Sequence, residues 1–193
     1  MIFRLAKATM LISSILLVVV PALAHRRDSP RVVVTSRRGL VERTALGLVS
    51  IAFLLTLIWI VFPILSFANY RLHPVAFLVG SVGLGFGIWL LYRSHADLGD
   101  SWSITLEVRE KHELRTSGIY GSIRHPMYAA LLLYAVGQAL VLPNWLVGPS
   151  YLVSILSLVA SRLKAEERMM VQEFGARYEA YVAQTKRLVP RVW

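Results

Sequence analysis

The stretch MYAALLLYAVGQALVLPNWLVGPSYLVSILSLVAS, residues 127–161, contains no Asp, Glu, Lys or Arg, and the pair Pro143-Asn144 interrupts it near its middle. One bilayer crossing takes about 20 predominantly apolar residues, so this run is too long for a single span. A Pro-Asn pair between two apolar segments marks a turn. The stretch therefore predicts a tight helical hairpin, with arms of about 16 or 17 residues that lie near the lower limit for crossing the hydrocarbon.

Moving toward the N-terminus, charged residues are also missing from 44–70 and from 72–92. The apolar runs 8–24, 45–68 and 74–92 meet or approach the length of a membrane span. With 193 residues, 56% hydrophobic content and a mean hydropathy of +0.58, the chain carries more apolar material than a soluble domain of that size. The expected fold is an all-α integral membrane protein with about five transmembrane helices, two of them forming the C-terminal hairpin.

The first run has two readings. Arg4 and Lys7, an apolar stretch and Ala22-Leu23-Ala24 before His25 have the form of a secretory signal with its cleavage site. Against cleavage, Arg26, Arg27, Arg31, Arg37, Arg38 and Arg43 outnumber Asp28 and Glu42 in the next loop, which marks residues 25–43 as cytoplasmic. Alternation from there places the loop around Arg71 and His73 outside, residues 93–126 inside, the Pro143 turn outside and the C-terminus inside. The chain divides accordingly into a membrane scaffold, 1–92, and a region carrying the chemistry, 93–193. In the last segment Arg162, Glu166, Met170, Phe174 and Tyr178 recur every four residues, with Tyr181 three further on, which predicts one stripe of a helix continuing inward from the fifth span. Its lower part reads as a cytoplasmic amphipathic C-terminal helix. Gly80, Gly83, Gly85 and Gly87 read as close-packing positions in the third span.

A formal net charge of +10 does not imply a nucleic-acid partner, because the basic residues flank apolar runs and form no basic face interleaved with aromatics. Cytoplasmic loops and anionic lipid headgroups account for the surplus. The chain has no cysteine, which excludes disulfides, thiolate catalysis and cysteine metal sites. The histidines at 25, 73, 95, 112 and 125 form no HExxH pattern, so no metal is expected.

The densest set of hydrogen-bonding side chains is Thr116-Ser117-Gly118-Ile119-Tyr120 followed by Arg124-His125-Pro126-Met127-Tyr128. Pro126 sits where a helix can start, since its missing N–H is not needed there. Such a helix end offers N–H groups and partial positive charge to a carboxylate. The alternative is an ordinary basic anchor at the membrane boundary. A second group, Arg162, Lys164, Glu166 and Glu167, stands at the mouth of the fifth span, where ionisable residues are costly and have partners or a task. A carboxylate there attracts a ligand cation or accepts from ribose hydroxyls, and an arginine grips an acid in two-pronged fashion. The plainer reading is an Arg162–Glu166 pair at i, i+4 that ends the helix.

Taken together, the two groups resemble the isoprenylcysteine carboxyl methyltransferase family, whose relatives include membrane phospholipid methyltransferases. The likeness runs from Trp102 through Lys111-His112-Glu113-Leu114, the 116–120 and 124–128 motifs, Glu166-Glu167, Phe174-Gly175, Tyr178 and Tyr181 to Arg187 and Pro190. It implies S-adenosylmethionine as cofactor, held by His112, Glu113, Leu114, Arg115, Tyr120, His125, Pro126, Met127, Tyr128 and Glu166. It also implies that Arg124 helps arrange the active site and that Arg162 faces the acceptor carboxylate, which makes these two the candidate catalytic residues. The sequence departs from the family where Glu113 and Arg115 stand, positions at which relatives often carry other residues.

The expected reaction is methyl transfer to a lipophilic or lipidated acceptor, as O-methylation of a carboxylate such as that of a prenylated cysteine. Rival readings are N-methylation of a phospholipid amine, a non-catalytic membrane binding protein, and a reductase of the sterol type using a nicotinamide cofactor.

Overall fold

The computed structural model describes residues 2–24, 33–36, 39–98, 107–109 and 114–192. Six α-helices are present among them: α1 (Ile2–Ala24), α2 (Leu40–Val61), α3 (Pro74–Leu98), α4 (Pro126–Val141), α5 (Val147–Phe174) and α6 (Ala176–Gln184). Two short strands, β1 (Val33–Ser36) and β2 (Glu107–Arg109), pair antiparallel, with Val33 opposite Arg109 and Ser36 opposite Glu107. This ribbon departs from the all-α expectation; it joins two loop segments and leaves the helical layout intact.

Among the described residues, three helices are long and apolar enough to cross a membrane: 2–23, 40–61 and 74–98, with mean hydropathies of 2.0, 2.4 and 2.0. Less than a third of each is buried inside the protein (22%, 22% and 28%), so most of their apolar surface faces outward. Leu48, Ile51, Leu54, Leu78, Val79 and Val82 are among the side chains exposed in this way. In a bilayer such surface meets lipid at no cost, whereas in water it would be an aggregation patch.

The hairpin forms where Pro143-Asn144 predicts it. Asn144 is fully buried, and its carbonyl oxygen accepts the N–H groups of Leu146 and Val147, both at 3.0 Å, at the start of α5. Its amide donates to Leu65 O (2.7 Å) and Asn69 Oδ1 (2.8 Å), and Asn69 Oδ1 also accepts from Trp59 Nε1 at 2.8 Å. The α4–α5 turn is thereby tied to the α2–α3 connection. Deeper in the bundle, Gln138 Nε2 donates to Thr56 Oγ1 at 3.0 Å and Ser13 bonds Tyr134 at 3.3 Å, cross-helix links of the kind that replace hydrophobic driving force inside a membrane.

Helices α3 and α4 lie against each other through glycine. A Cβ built on Gly80 would come within 2.8 Å of Gly137 O and Leu140 Cβ, one on Gly87 within 2.8 Å of Tyr134 N, and one on Gly137 within 2.7 Å of Leu84 N. Gly83 also faces α4, but Gly85 meets open space and is no packing position. The core around this contact includes Trp59, Leu84, Tyr134, Ala135, Val141 and Ile155.

One expectation fails at the C-terminal end. The stripe from Arg162 to Tyr181 does not run on one helix, because α5 stops at Phe174 and Gly175, with φ 52° and ψ −130°, redirects the chain into α6. That backbone conformation is one only glycine enters readily. Tyr178 and Tyr181 are then buried on the new helix.

Candidate active site

Residues 114–128 are pinned to the end of α3 by one carboxylate. Asp97 accepts the Ile119 N–H at 2.8 Å and pairs with Arg93 at 3.0 Å. Gly118, at φ 64°, sits so close to Asp97 that a Cβ there would strike the carboxylate. The turn delivers Tyr120 into the interior, where it is 7% exposed, its hydroxyl reaches Ser94 O at 3.4 Å and its carbonyl accepts the Tyr181 hydroxyl at 2.6 Å. Burial, then the nearby Glu166 charge, raises the Tyr120 phenol above its ordinary value, and Tyr120 therefore acts as a neutral donor.

From there the chain passes Ile123-Arg124-His125 and enters α4 at Pro126, the first-turn proline expected of that position. Backbone bonds from Arg124 N to Lys186 O (2.8 Å) and from His125 N to Arg187 O (2.9 Å) zip this segment to the C-terminal tail. Side chains reinforce the zip. Arg124 donates to Glu167 Oε1 from Nε (3.3 Å) and Nη2 (3.2 Å), and from Nη1 to Thr185 O and, at 3.3 Å, Val182 O. Arg187 approaches the same carboxylate on its other flank, with Nη2 at 2.7 Å from Glu167 Oε2. Burial alone would raise the Glu167 carboxyl, but hydrogen bonds from His125, Arg187 and Arg124 outweigh it and hold the group well below the usual carboxylate range.

The His125 contact is the weakest of these, because Nε2 stands 3.5 Å from Glu167 Oε1, beyond a good hydrogen bond. The His125 ring is buried, stacks on Tyr128 with centroids 5.6 Å apart, and holds Nδ1 3.9 Å from Glu166 Oε2. Tyr128 donates to Glu166 Oε2 at 2.7 Å. Adjacent carboxylates on α5 thus differ in use: Glu167 is enclosed by cations, while Glu166 is held by one phenol and its side chain keeps 31% of its surface exposed.

Arg162, one turn above Glu166, is buried and pairs with Glu42 of α2, Nη2 to Oε1 at 3.5 Å. Both line a cavity of about 400 Å³ with Val41, Ala165, Arg168 and Met169. Tyr128 bonds Glu166, which stands one helical turn from Arg162 in the cavity wall.

Of the residues singled out in the sequence, Tyr120, Arg124, His125, Tyr128, Glu166 and Arg162 converge on this end of the bundle. Pro126 is fully buried beneath them, Met127 and Leu114 are half-buried, and Arg115 is exposed. His112 and Glu113 lie outside the described residues. Two participants escape sequence reasoning. Asp97 gives no motif, and Glu42 enters only as one charge in a basic loop, although its place at the edge of an uncharged run is the signal that distinguishes it.

Fold and site together define a helical membrane protein whose C-terminal hairpin and tail assemble a polar site at one end of the bundle. Residues 79–172 match the model of the isoprenylcysteine carboxyl methyltransferase (ICMT) family. The protein-S-isoprenylcysteine O-methyltransferase B of Arabidopsis thaliana is 32% identical over 96 residues, covering 49% of this chain and 49% of that protein. The A form from the same plant is 28% identical over 150 residues, 74% of each chain. A solved structure, the eukaryotic intramembrane Ras methyltransferase ICMT, superposes with a TM-score of 0.53 at 20% identity, covering 79% of this chain and 52% of that one, and shows the shared fold. Over residues 79–172 and the stretches these relatives cover, the chain is similar to the isoprenylcysteine carboxyl methyltransferase family. It spans about half the length of the first of these relatives and of the solved structure (49% and 52%).

Proposed function

We propose that this protein transfers a methyl group from S-adenosylmethionine to the carboxylate of a lipophilic acceptor, an S-prenylated cysteine, at the cytoplasmic face of the membrane. The observation that carries this is the pairing of a buried cation with an open carboxylate: Arg162 lines the cavity between α2 and α5, and Glu166 stands one turn away, held by Tyr128 and still exposed.

The residues present fit the cofactor. Glu166 has one oxygen taken by the Tyr128 hydroxyl and keeps the other for a ribose hydroxyl or a cation. Among the described residues, buried His125 Nε2 has only its 3.5 Å approach to Glu167, and a bound polar ligand would satisfy it better. Tyr120, His125, Tyr128 and Glu166 are the residues of this chain that would hold it. Bound there, S-adenosylmethionine supplies a methyl carbon on a positively charged sulfur.

The acceptor carboxylate is ionised at neutral pH, having an ordinary pKa of about 4, so the protein needs no strong general base. Its work is positioning. Arg162 grips the carboxylate with its planar fork, the apolar side of the cavity takes the adjoining hydrocarbon, and neighbouring spans admit the acceptor sideways from the lipid. Arg124 does not touch the acceptor; with Glu167 and Arg187 it fastens the tail that carries Tyr178 and Tyr181 over the site.

Calorimetric titration of the demethylated cofactor product into detergent-solubilised protein tests the cofactor half. Wild type should bind in the micromolar range and Glu166→Ala should not. Transfer of radiolabelled methyl to an N-acylated S-prenylcysteine, and not to a phospholipid amine, tests the acceptor half. Absence of product binding by folded wild-type protein would remove the enzymatic reading.

A further inference from the structure

Three charged residues line the cavity, buried Arg162 and Glu42 and exposed Arg168, and Glu42 belongs to no motif. Glu42 lies in the first turn of α2, outside residues 79–172, and its side chain is only 7% exposed. Its pairing with Arg162 is poor: 3.5 Å, against about 2.8 Å for a tight charge-assisted hydrogen bond. Both carboxylate oxygens are buried without a hydrogen-bond partner among the described residues. A buried ion pair is retained comfortably only when its geometry is good and the remaining lone pairs are satisfied. This pair fails on both counts, so a better-placed carboxylate entering the cavity can take Arg162 from it.

We propose that Glu42 is an intramolecular stand-in for the acceptor's carboxylate: it occupies Arg162 while the cavity is empty and yields that position when an acidic amphiphile binds. The inference rests on the assignment of Arg162 to the acceptor made above. One carboxylate exchanges for another, so Arg162 is never left as an uncompensated buried charge, and the loss of a partner that makes such arginines costly is avoided. The displaced Glu42 has a destination. The first turn of α2 has no side-chain cap, and its N–H groups favour a carboxylate at that end. Glu42 also sets selectivity. A neutral amphiphile cannot compete for Arg162, so the cavity discriminates acid from ester, which is to say substrate from methylated product.

The measurement is equilibrium binding of two acids, an N-acylated S-prenylcysteine and dodecanoate, and of their methyl esters, to the full chain in lipid nanodiscs. Wild type, Glu42→Gln and Glu42→Asp are compared. Removing the internal competitor should tighten both acids about tenfold in Glu42→Gln, equivalent to one charge-assisted contact, and leave both esters unchanged. Glu42→Asp, which keeps the charge on a shorter reach, should tighten the acids by a smaller factor and stands in should Glu42→Gln fail to fold. A parallel loss of acid and ester binding would show Glu42 to be a structural strut, and unchanged acid binding would show that it does not compete; either overturns the proposal. Failure of the methyl-transfer assignment is visible separately, as a wild type that keeps the acid–ester contrast but incorporates no labelled methyl.

Discussion

Glu167 receives two arginines and the edge of an imidazole on one carboxylate, and its consequence is mechanical before it is chemical. Because its folded carboxyl lies below its ordinary value, the stability it contributes is complete above the usual carboxylate range and is lost as pH falls through and below that range. The wild-type melting temperature should therefore drop on acidification from neutral pH, and the drop should be shallower in Glu167→Gln. That variant, which leaves Arg124 and Arg187 without their shared anion, should also be less stable at neutral pH by roughly 3 kcal/mol. Differential scanning fluorimetry in detergent reads both effects. Neighbouring Glu166 should behave in the opposite sense: Glu166→Gln loses cofactor binding with a melting temperature close to wild type, because one phenol is its only close partner among the described residues.

At the scale of the helix, the α3–α4 contact and the α5–α6 break make separable predictions. Gly137→Ala forces a methyl against the Leu84 backbone and should destabilise by about 1–3 kcal/mol through overpacking. Gly85→Ala points into open space and should be neutral or slightly stabilising, since alanine favours helix over glycine by about 1 kcal/mol. Thermal unfolding of the two variants side by side checks this contrast, which a general intolerance of substitutions in that helix would erase. Gly175→Ala has free space for its methyl but not a compatible backbone, and should cost about 1–3 kcal/mol by strain alone. The hairpin was legible because Pro143-Asn144 breaks an uncharged run, and α4 because Pro126 pre-sets its start. The α5–α6 break was not: the four-residue spacing of Arg162, Glu166, Met170, Phe174 and Tyr178 is what a continuous helix would show, and a single glycine within it gives no sign of which φ it adopts. Nor does a glycine in a span declare its direction, so Gly85 looked the same as Gly80.

For the whole molecule, the described parts of the two polar regions, 93–126 and 162–193, meet at one end of the bundle. The ion pairs behind that convergence were less accessible. Arg124, Glu167 and Arg187 are scattered along the sequence, and their mutual contacts depend on how the tail folds back, which local pattern cannot encode. Sidedness is open to direct test because the chain has no cysteine of its own. Single cysteines at Ser117 and Gln184, both exposed, should react with a membrane-impermeant maleimide only after cells are permeabilised. One at exposed Ser66, in the α2–α3 connection, should react from outside. The reverse pattern would invert the proposed orientation.

The zip between residues 124–125 and 186–187 also orders events during synthesis. His125 and Arg124 are inserted while α5 and the tail are still unmade, and they can adopt their final setting only when Lys186 and Arg187 emerge from the ribosome. Arg124 gains its carboxylate once Glu167 of α5 is made, but its backbone partner, Lys186, comes later. A chain stalled after α5 would carry both motif clusters yet lack the backbone partners of residues 124 and 125, and by the proposed function it should bind no cofactor. The same geometry makes the tail a poor place to attach a tag without a spacer.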